Sequence, residues 1–593
     1  QFFSRAYDFG FSKTLEDTWA HWPKDSVLKD VVRIVRRFRP QVIVSVFSGT
    51  PRDGHGQHQA AGWAAQEAYR VAGDPNRFPE LKTEEGLDPW TPTKLYIEAW
   101  FNPTAATLTL DAGEVEKISG KTYHQLAMAA RSLHRSQDMG QIQDFGPSLS
   151  RLTFGAVRGG TADVGEGWGA FWSGVDTVLK APVGYFEALT RAKAGAGRDR
   201  AAVAAALLDA QRNLPSDPSA RDRIPSSIRE HLTAARGIAS WVFVDAVAER
   251  ARVALGDSVR LTAPIRNAGT APMALATAHA LARGAGNGEM MFLDPIASGV
   301  AKEGEVVAAI NPSVGATTPY YLTRGRAGDL YDWSSTAARN RGMPREDPEF
   351  TVLVADGSPG DRLELRRQFS ARVRDQAFGE VRQPLVVVPR VSVKLTPGVA
   401  VVRTGATGES RTVNADIELE SGLTTPVGGT VTIEVPNGWP RPTPVPFQLG
   451  GIGAQTHITI RVNVPAGVAD GQYPIRAVAT DAAGQRYDIG AFTVDYPHIR
   501  PRQYTKPATA RIEVIDLQPP QARNVAYVRG AADKVPEALA AAGLHVTLLD
   551  SIALSTSDLS TYDAIVIGPR AYEVDSAVVR NNDRLNDYAR NGG

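Results

Sequence analysis

From about residue 240 to residue 498 the apolar residues of this chain recur with a period of two. In Thr456 to Val464, Ile458, Ile460, Val462 and Val464 alternate with His457, Thr459, Arg461 and Asn463. In Thr430 to Val435, Val431, Ile433 and Val435 alternate with Thr430, Thr432 and Glu434. Such alternation belongs to half-buried antiparallel strands, because successive side chains of a strand point to opposite faces. Turn signals, Pro436-Asn437-Gly438 and Ala469-Asp470-Gly471, fall between the runs. The pattern predicts two β-sandwich domains, 239–390 and 391–498. The first is interrupted by Ser313 to Pro348, rich in Arg, Gly and aromatics. That stretch is either a long binding loop or a segment packed on a neighbouring domain, and packing is the favoured reading.

On either side of the β region the pattern is α/β. Val27, Leu28, Val31, Val32, Val35 and Phe38 lie at helical spacing, and Pro40 ends that helix. The run Val42 to Phe47 is nearly continuous and β-branched, as in a parallel strand buried on both faces. A polar loop, Ser48 to Gln57, leads into an Ala-rich helix, Gln59 to Ala72. Lys94 to Phe101 reads as a strand, and Gly120 to Gln137 as a helix with Tyr123, Leu126, Ala127, Ala130 and Leu133 on one side. Residues 1–180 are therefore expected to form a Rossmann-like, doubly wound α/β domain. Residues 181–238 are Ala- and Arg-rich and read as a helical linker. From 510 to 593 the α/β pattern returns, as the first half of a second doubly wound sheet.

Composition narrows the function classes. The 593 residues are 43% hydrophobic and 22% charged, ordinary globular values that exclude a disordered chain. Lys and Arg number 65 and Asp and Glu 64, so charge gives no case for a nucleic-acid partner. The absence of Cys excludes disulfides, thiolate metal sites and a thiol nucleophile in these residues. No apolar run is long enough to span a membrane. The chain starts at Gln1 and ends in Asn591-Gly592-Gly593, a turn that reads as leading to a further strand, so it is expected to be a fragment.

Five of the ten His fall in the first 134 residues: His21, His55, His58, His124 and His134. The informative segment is Ser48-Gly49-Thr50-Pro51-Arg52-Asp53-Gly54-His55-Gly56-Gln57-His58. It follows the predicted strand directly, and ligands of open α/β sheets bind beyond the carboxyl ends of their strands. Its glycines let the backbone approach a ligand. His58 opens the next helix, where a helix N-terminus favours a neutral ring able to bind a cation. His55 lies three residues earlier, close enough to share a site. A His-x-x-His pair alone is weak, since a catalytic zinc site needs further protein ligands and an open position.

Arg5-Ala6-Tyr7-Asp8-Phe9-Gly10-Phe11-Ser12-Lys13-Thr14 and Phe47 to Gly62 together resemble the PIG-L/LmbE-like family of zinc-dependent N-deacetylases, in particular its large multidomain bacterial members. His134-Arg135-Ser136-Gln137 is similar to a second family segment. The 391–498 region resembles NEW3-type sandwiches found beside carbohydrate-active enzymes. Tyr562 to Gly593 resembles the start of a glutamine-amidotransferase-like, flavodoxin-like domain. The family's first zinc motif, His-Pro-Asp-Asp-Glu, occurs nowhere in the 593 residues. The resemblance places it, with the domain's first strand, upstream of Gln1.

By resemblance, His58 is a zinc ligand, and His55 stabilises the tetrahedral oxyanion or protonates the leaving amine. The usual Pro-Asp between the two histidines is Gly56-Gln57 here, and Asp53 either takes over as the carboxylate orienting an imidazole or pairs with Arg52. Arg52 and His134 are candidate substrate-binding residues; for His134, with Gln137, a solvated helix end is the alternative. The resemblance implies a hydrolase removing an N-acetyl group from an amino-sugar or related N-acyl compound, incomplete in these residues. The competing reading is a noncatalytic protein that binds glycans or acts as a scaffold. Tandem sandwiches beside a glycan-type hydrolase imply, by analogy, an exported protein and glycan contacts through the β-domains.

Overall fold

The computed structural model describes all residues except 118, 136–138, 159–164, 176–181, 216, 218–225, 271, 274–276, 283–287, 292–294, 345–349, 357–362, 405–410, 518–523 and 532. Gln137 lies outside the described residues. The chain is multidomain and divides into two compact units. The first comprises Gln1–Ala251, Gly256–Val386 and Thr493–Tyr504, and the second Arg252–Leu255, Val387–Phe492 and Thr505–Gly593.

The first unit opens with helices α1 (Leu15–His21) and α2 (Lys24–Phe38), strand β1 (Val42–Ser45) and helix α3 (Gly56–Val71). Short helix α4 (Glu80–Thr83), strands β2 (Lys94–Glu98) and β3 (Leu108–Asp111), helix α5 (Tyr123–Arg131) and strands β4 (Leu149–Val157) and β5 (Gly165–Glu166) follow. The strands form one sheet in the order β1-β2-β4-β3-β5. The period of the sequence is realised as packing: Leu28, Val32 and Val35 of α2 bury against Ala68 and Ala72 around α3, with Ile43 of β1 and Trp63 beside them. A second cluster, Tyr96, Leu108, Leu110, Leu152 and Phe171, closes another part of the sheet.

Three expectations for this domain are corrected. The sheet is mixed rather than doubly wound: β1 runs parallel to β2, but β4 is antiparallel to both β2 and β3. β1 is not buried on both faces. It is the outermost strand of the sheet, and Val44 and Val46 stay 46% and 50% exposed. The apolar side expected on α5 is not covered either, since Tyr123, Leu126 and Leu133 are exposed.

Helices Val183–Gly195, Arg200–Arg212 and Ser226–Ser240 share a small core of their own around Tyr185, Ala188, Leu207, Ala210 and Leu232. Two sandwich-like sheets follow in the same unit, four strands ordered Gly288–Met291, Thr277–Ala282, Phe350–Asp356 and Leu363–Gln368, and six strands centred on Ser258–Asn267. The irregular insertion packs on the N-terminal domain. Phe3 N–H donates to Gly342 O at 2.9 Å, Tyr7 N–H to Asp329 O at 2.9 Å, and Tyr331 N–H to Arg5 O at 2.8 Å.

The second unit holds a β-sandwich of a three-stranded sheet and a six-stranded sheet. Val393, Leu419 and Val462 from the first sheet bury together with Val431, Ile512 and Val514 from the second. This sandwich passes the expected boundary at 498. Strand Thr509–Ile515 lies parallel to Val399–Arg403 and antiparallel to Gly471–Asp481, so its alternating Ala510, Ile512 and Val514 complete the core. A three-stranded parallel sheet ordered His545–Leu548, Asn524–Val528 and Ala564–Ile567 ends the chain. Among the described residues no helix is long and apolar enough to cross a membrane.

Candidate functional site

Because β1 and β2 are parallel, the chain leaves both at one end of the sheet, and the segments after Ser45 and after Ile97 emerge side by side. The loop after β1 is folded by one carboxylate. Asp53 is buried, and its two oxygens accept four hydrogen bonds: from Ser48 N–H and Ser48 Oγ at 2.9 Å each, from Gly49 N–H at 2.6 Å and from Thr50 N–H at 3.1 Å. Gly49 has φ +78°, and a Cβ on Gly62 of α3 would stand 2.2 Å from Gly49 N. The loop therefore lies directly on the helix, at a distance only two glycines permit.

This loop places the two imidazoles against each other. Their ring centroids are 3.7 Å apart and their planes tilt by 35°. His58 stacks on Phe47 at 4.0 Å and 15°, while its Nδ1 lies 3.1 Å from the carbonyl oxygen of Asp53. A carbonyl only accepts, so Nδ1 carries the proton and Nε2 presents a lone pair. His55 Nδ1 lies 2.8 Å from Gln57 Oε1. The side-chain amide of Gln57 is oriented by its other contacts: its Nε2 donates to Gly10 O, and its Oε1 accepts from Ser12 Oγ at 2.8 Å. Nδ1 of His55 is thereby also the protonated nitrogen, and Nε2 of neither ring makes a hydrogen bond among the described residues.

Gly56, between the two rings, is a site of close approach. Its N–H donates to Ser12 O at 3.0 Å, and a Cβ there would lie 1.9 Å from Thr14 O. Gly56→Ala is expected to cost about 1–3 kcal/mol by overpacking and to displace the Ser12–Thr18 segment. Thermal unfolding checks it; an unchanged midpoint contradicts the packing described.

The predicted site residues separate into two groups. His55 and His58 come together. Asp53 has a different part from the one expected: its carboxylate is saturated by the loop, and it is its backbone carbonyl that orients His58. Arg52 is exposed, and no ion pair joins it to Asp53 among the described residues. His134 is exposed beyond α5, and no hydrogen bond or ring contact connects it to the imidazole pair among the described residues. Of the other histidines, His21 stacks on Phe9 at 4.0 Å and reaches Asp329 at 2.7 Å, His457 is exposed, and His545 meets Asn524.

Sequence reasoning missed Gln57, whose position between the two histidines is visible in the sequence but whose partners, Gly10 and Ser12, are not. It also missed Glu98. This carboxyl ends β2 at the same end of the sheet, and burial pushes its pKa up, with Arg131 drawing it partly back. After the buried Ala99 come the exposed rings of Trp100 and Phe101.

The arrangement offers two imidazole nitrogens without a hydrogen bond among the described residues, a pair suited to holding a cation or moving a proton, with no contact joining Glu98 to it among those residues. As a zinc site it fits in part. The imidazole nitrogens are available, but no group of three His, Asp or Glu placed to hold a metal ion occurs among the described residues.

No family model and no curated protein matches the chain. Among solved structures, red sea bream transglutaminase is 12% identical over 50% of this chain and 35% of its own, with a TM-score of 0.21. Escherichia coli alpha-2-macroglobulin activated by porcine elastase is 10% identical over 46% of this chain and 22% of its own, with a TM-score of 0.18. The chain thus spans about a third or less of the length of these two proteins. Likeness this slight carries no argument about fold or function.

Proposed function

We propose that the N-terminal domain is the histidine-bearing part of a zinc-dependent N-deacetylase of the PIG-L/LmbE-like kind, acting on an N-acetylated amino-sugar or related N-acyl compound. One observation carries the reading: two rings 3.7 Å apart, each anchored through Nδ1 with Nε2 left bare, where β1 and β2 end. His58 would hold zinc through Nε2. Zinc bound in such a site lowers the pKa of its water to about 7.

The chain's own residues supply part of the rest. His55, protonated on Nε2 as well, donates to the oxygen that gains charge as water attacks the amide carbonyl and then passes that proton to the departing amine. The proton lost by the water would go to the general base that the resemblance assigns to the His-Pro-Asp-Asp-Glu motif, which these residues do not include. Gln57 Oε1 accepts from Nδ1–H in both protonation states, so the ring keeps its orientation through the cycle. Phe47 fixes the plane of His58 from one face. Glycan contacts through the β-sandwiches and export of the protein belong to the same proposal.

Acetate release from N-acetylglucosamine tests the reading. The 593 residues by themselves are expected to be inactive or nearly so, and, once extended by a segment bearing His-Pro-Asp-Asp-Glu, to be active with zinc and inactive after chelation. His55→Ala in the active form is expected to lower kcat about 10²–10³-fold, the usual loss for one oxyanion donor. Failure of the protein so extended to release acetate with zinc overturns the proposal.

A further inference from the structure

A second candidate site lies in the first unit, apart from the histidines. Helix Ser226–Ser240, the residues just after it and the strands Phe350–Asp356 and Leu363–Gln368 enclose a cleft of about 800 Å³. That volume is in the range of small-molecule sites. Its apolar wall is left open to solvent: Ile238 is 77% exposed, Trp241 43% and Phe243 55%.

Trp241 is held there against its backbone preference. It follows the last turn of the helix with φ +55°, a position where helices ordinarily carry glycine. Its N–H donates to Ile238 O, and its carbonyl accepts from Ala268 N–H. Those bonds are formed by main-chain atoms and do not call for an indole. Arg200 covers one face of the indole, and the ring still contributes to the wall of the cleft. A strained residue that presents a large aromatic surface to a cleft is a pointer to binding.

Strand Leu363–Gln368 brings two cations to the same cleft. Arg366 and Arg367 line the cleft on strand Leu363–Gln368, are exposed, and have no carboxylate partner among the described residues. Glu230 and Glu364 also line the cleft. Arginines further along the same β region are engaged: Arg372 pairs with Glu380 at 2.6 Å, and Arg382 with Glu380 at 2.8 Å. Successive residues of a strand point to opposite faces, so one of these guanidiniums matches an anionic head group on a flat apolar body and the other adds positive charge at the rim of the cleft.

We infer that this cleft binds a small organic anion, a carboxylate, sulfonate or phosphate borne on an aromatic or alicyclic ring system. The apolar body lies on Ile238, Trp241 and Phe243, and the head group meets one guanidinium of the Arg366–Arg367 pair. The inference is independent of the deacetylase reading, because none of these residues belongs to the histidine site.

Fluorescence titration of the whole chain with 1-anilinonaphthalene-8-sulfonate and with its uncharged counterpart, N-phenyl-1-naphthylamine, tests it. The sulfonate is expected to saturate one site and to bind at least about tenfold more tightly than the neutral compound. Arg366→Gln with Arg367→Gln removes that preference and leaves the neutral compound's affinity unchanged. Both side chains are exposed, so the unfolding midpoint stays at the wild-type value. Ile238→Glu, also at an exposed position, weakens both compounds at least about tenfold by placing a like charge and a polar group on the apolar wall. Equal affinity for the two compounds overturns the inference, as does unchanged sulfonate binding in the double variant or unchanged binding of both compounds in Ile238→Glu.

Discussion

Glu85→Ala is expected to lower the unfolding free energy by about 3–5 kcal/mol, the usual cost of removing one partner from a buried ion pair. The Glu85 side chain is 2% exposed and lies among three arginines. Arg33 Nε donates to both of its oxygens, at 3.0 and 2.9 Å, and Arg341 Nη1 to one of them at 3.1 Å, with Arg37 3.8 Å away. Burial works against the charge of Arg33, but hydrogen bonding to Glu85 and the charges of Asp30 and Glu85 outweigh it and hold the guanidinium above its ordinary pKa. Alanine leaves Arg33, itself 4% exposed, with Asp30 as its remaining carboxylate partner among the described residues. The same substitution frees Arg341 and so loosens the insertion from the N-terminal domain. Urea unfolding measures the first effect, and the rate of proteolytic cleavage within 313–344 the second. A change under about 1 kcal/mol contradicts the burial and pairing described. Glu85→Gln keeps an acceptor but not the charge, and falls between the two.

Asp53→Ala is expected to abolish the order of the loop between β1 and α3 and, with it, the pairing of the two imidazoles. Four donors lose their acceptor at once. Each left unsatisfied costs about 1–3 kcal/mol, although partial exposure of the loop lets water take up some of them. A net loss of about 2–4 kcal/mol follows, with at least a tenfold loss of any zinc affinity that rests on His58. Asp53→Asn separates structure from chemistry. An amide retains one acceptor oxygen but sets its NH₂ against donors, so a loop organiser loses stability in both variants. A carboxylate acting as a base loses activity in Asp53→Asn at unchanged stability, and that outcome contradicts the role assigned here.

The sequence is most informative where a pattern is local. Alternation in Thr456–Val464 becomes a strand at Gln455–Asn463, with Ile460 and Val462 in the sandwich core. The helical stripe of Val27 to Val35 becomes the buried face of α2. The same locality explains why His55 and His58 meet, since a strand, a short loop and a helix leave them little choice of direction. What stays hidden depends on partners distant in sequence. Val42 to Val46 looks like a central strand because it is β-branched almost throughout, and nothing in five residues says how many neighbours the strand has. Thr509–Ile515 falls outside the sandwich expected from the sequence because a linker-like stretch precedes it, yet its register is fixed against Val399–Arg403 and Gly471–Asp481. Asp53 reads as a chemical group because of its neighbours, Arg52 and His55. Its oxygens turn instead to the backbone of Ser48, Gly49 and Thr50, an assignment that only the loop's path reveals. Gln57 acquires its meaning from Gly10 and Ser12, far earlier in the chain.

The deacetylase reading depends on two rings that spend Nδ1 on the scaffold and keep Nε2 bare. Nitrogen NMR of the ¹⁵N-His-labelled protein, with His55 and His58 assigned through His→Ala variants, reads this directly. At a pH where both rings are neutral, both are expected in the Nδ1–H tautomer, with Nε2 as the unprotonated nitrogen, and zinc added to the protein extended by a His-Pro-Asp-Asp-Glu segment is expected to shift the Nε2 signal of His58. Either ring in the Nε2–H tautomer, or a His58 Nε2 signal indifferent to zinc in the extended protein, contradicts it.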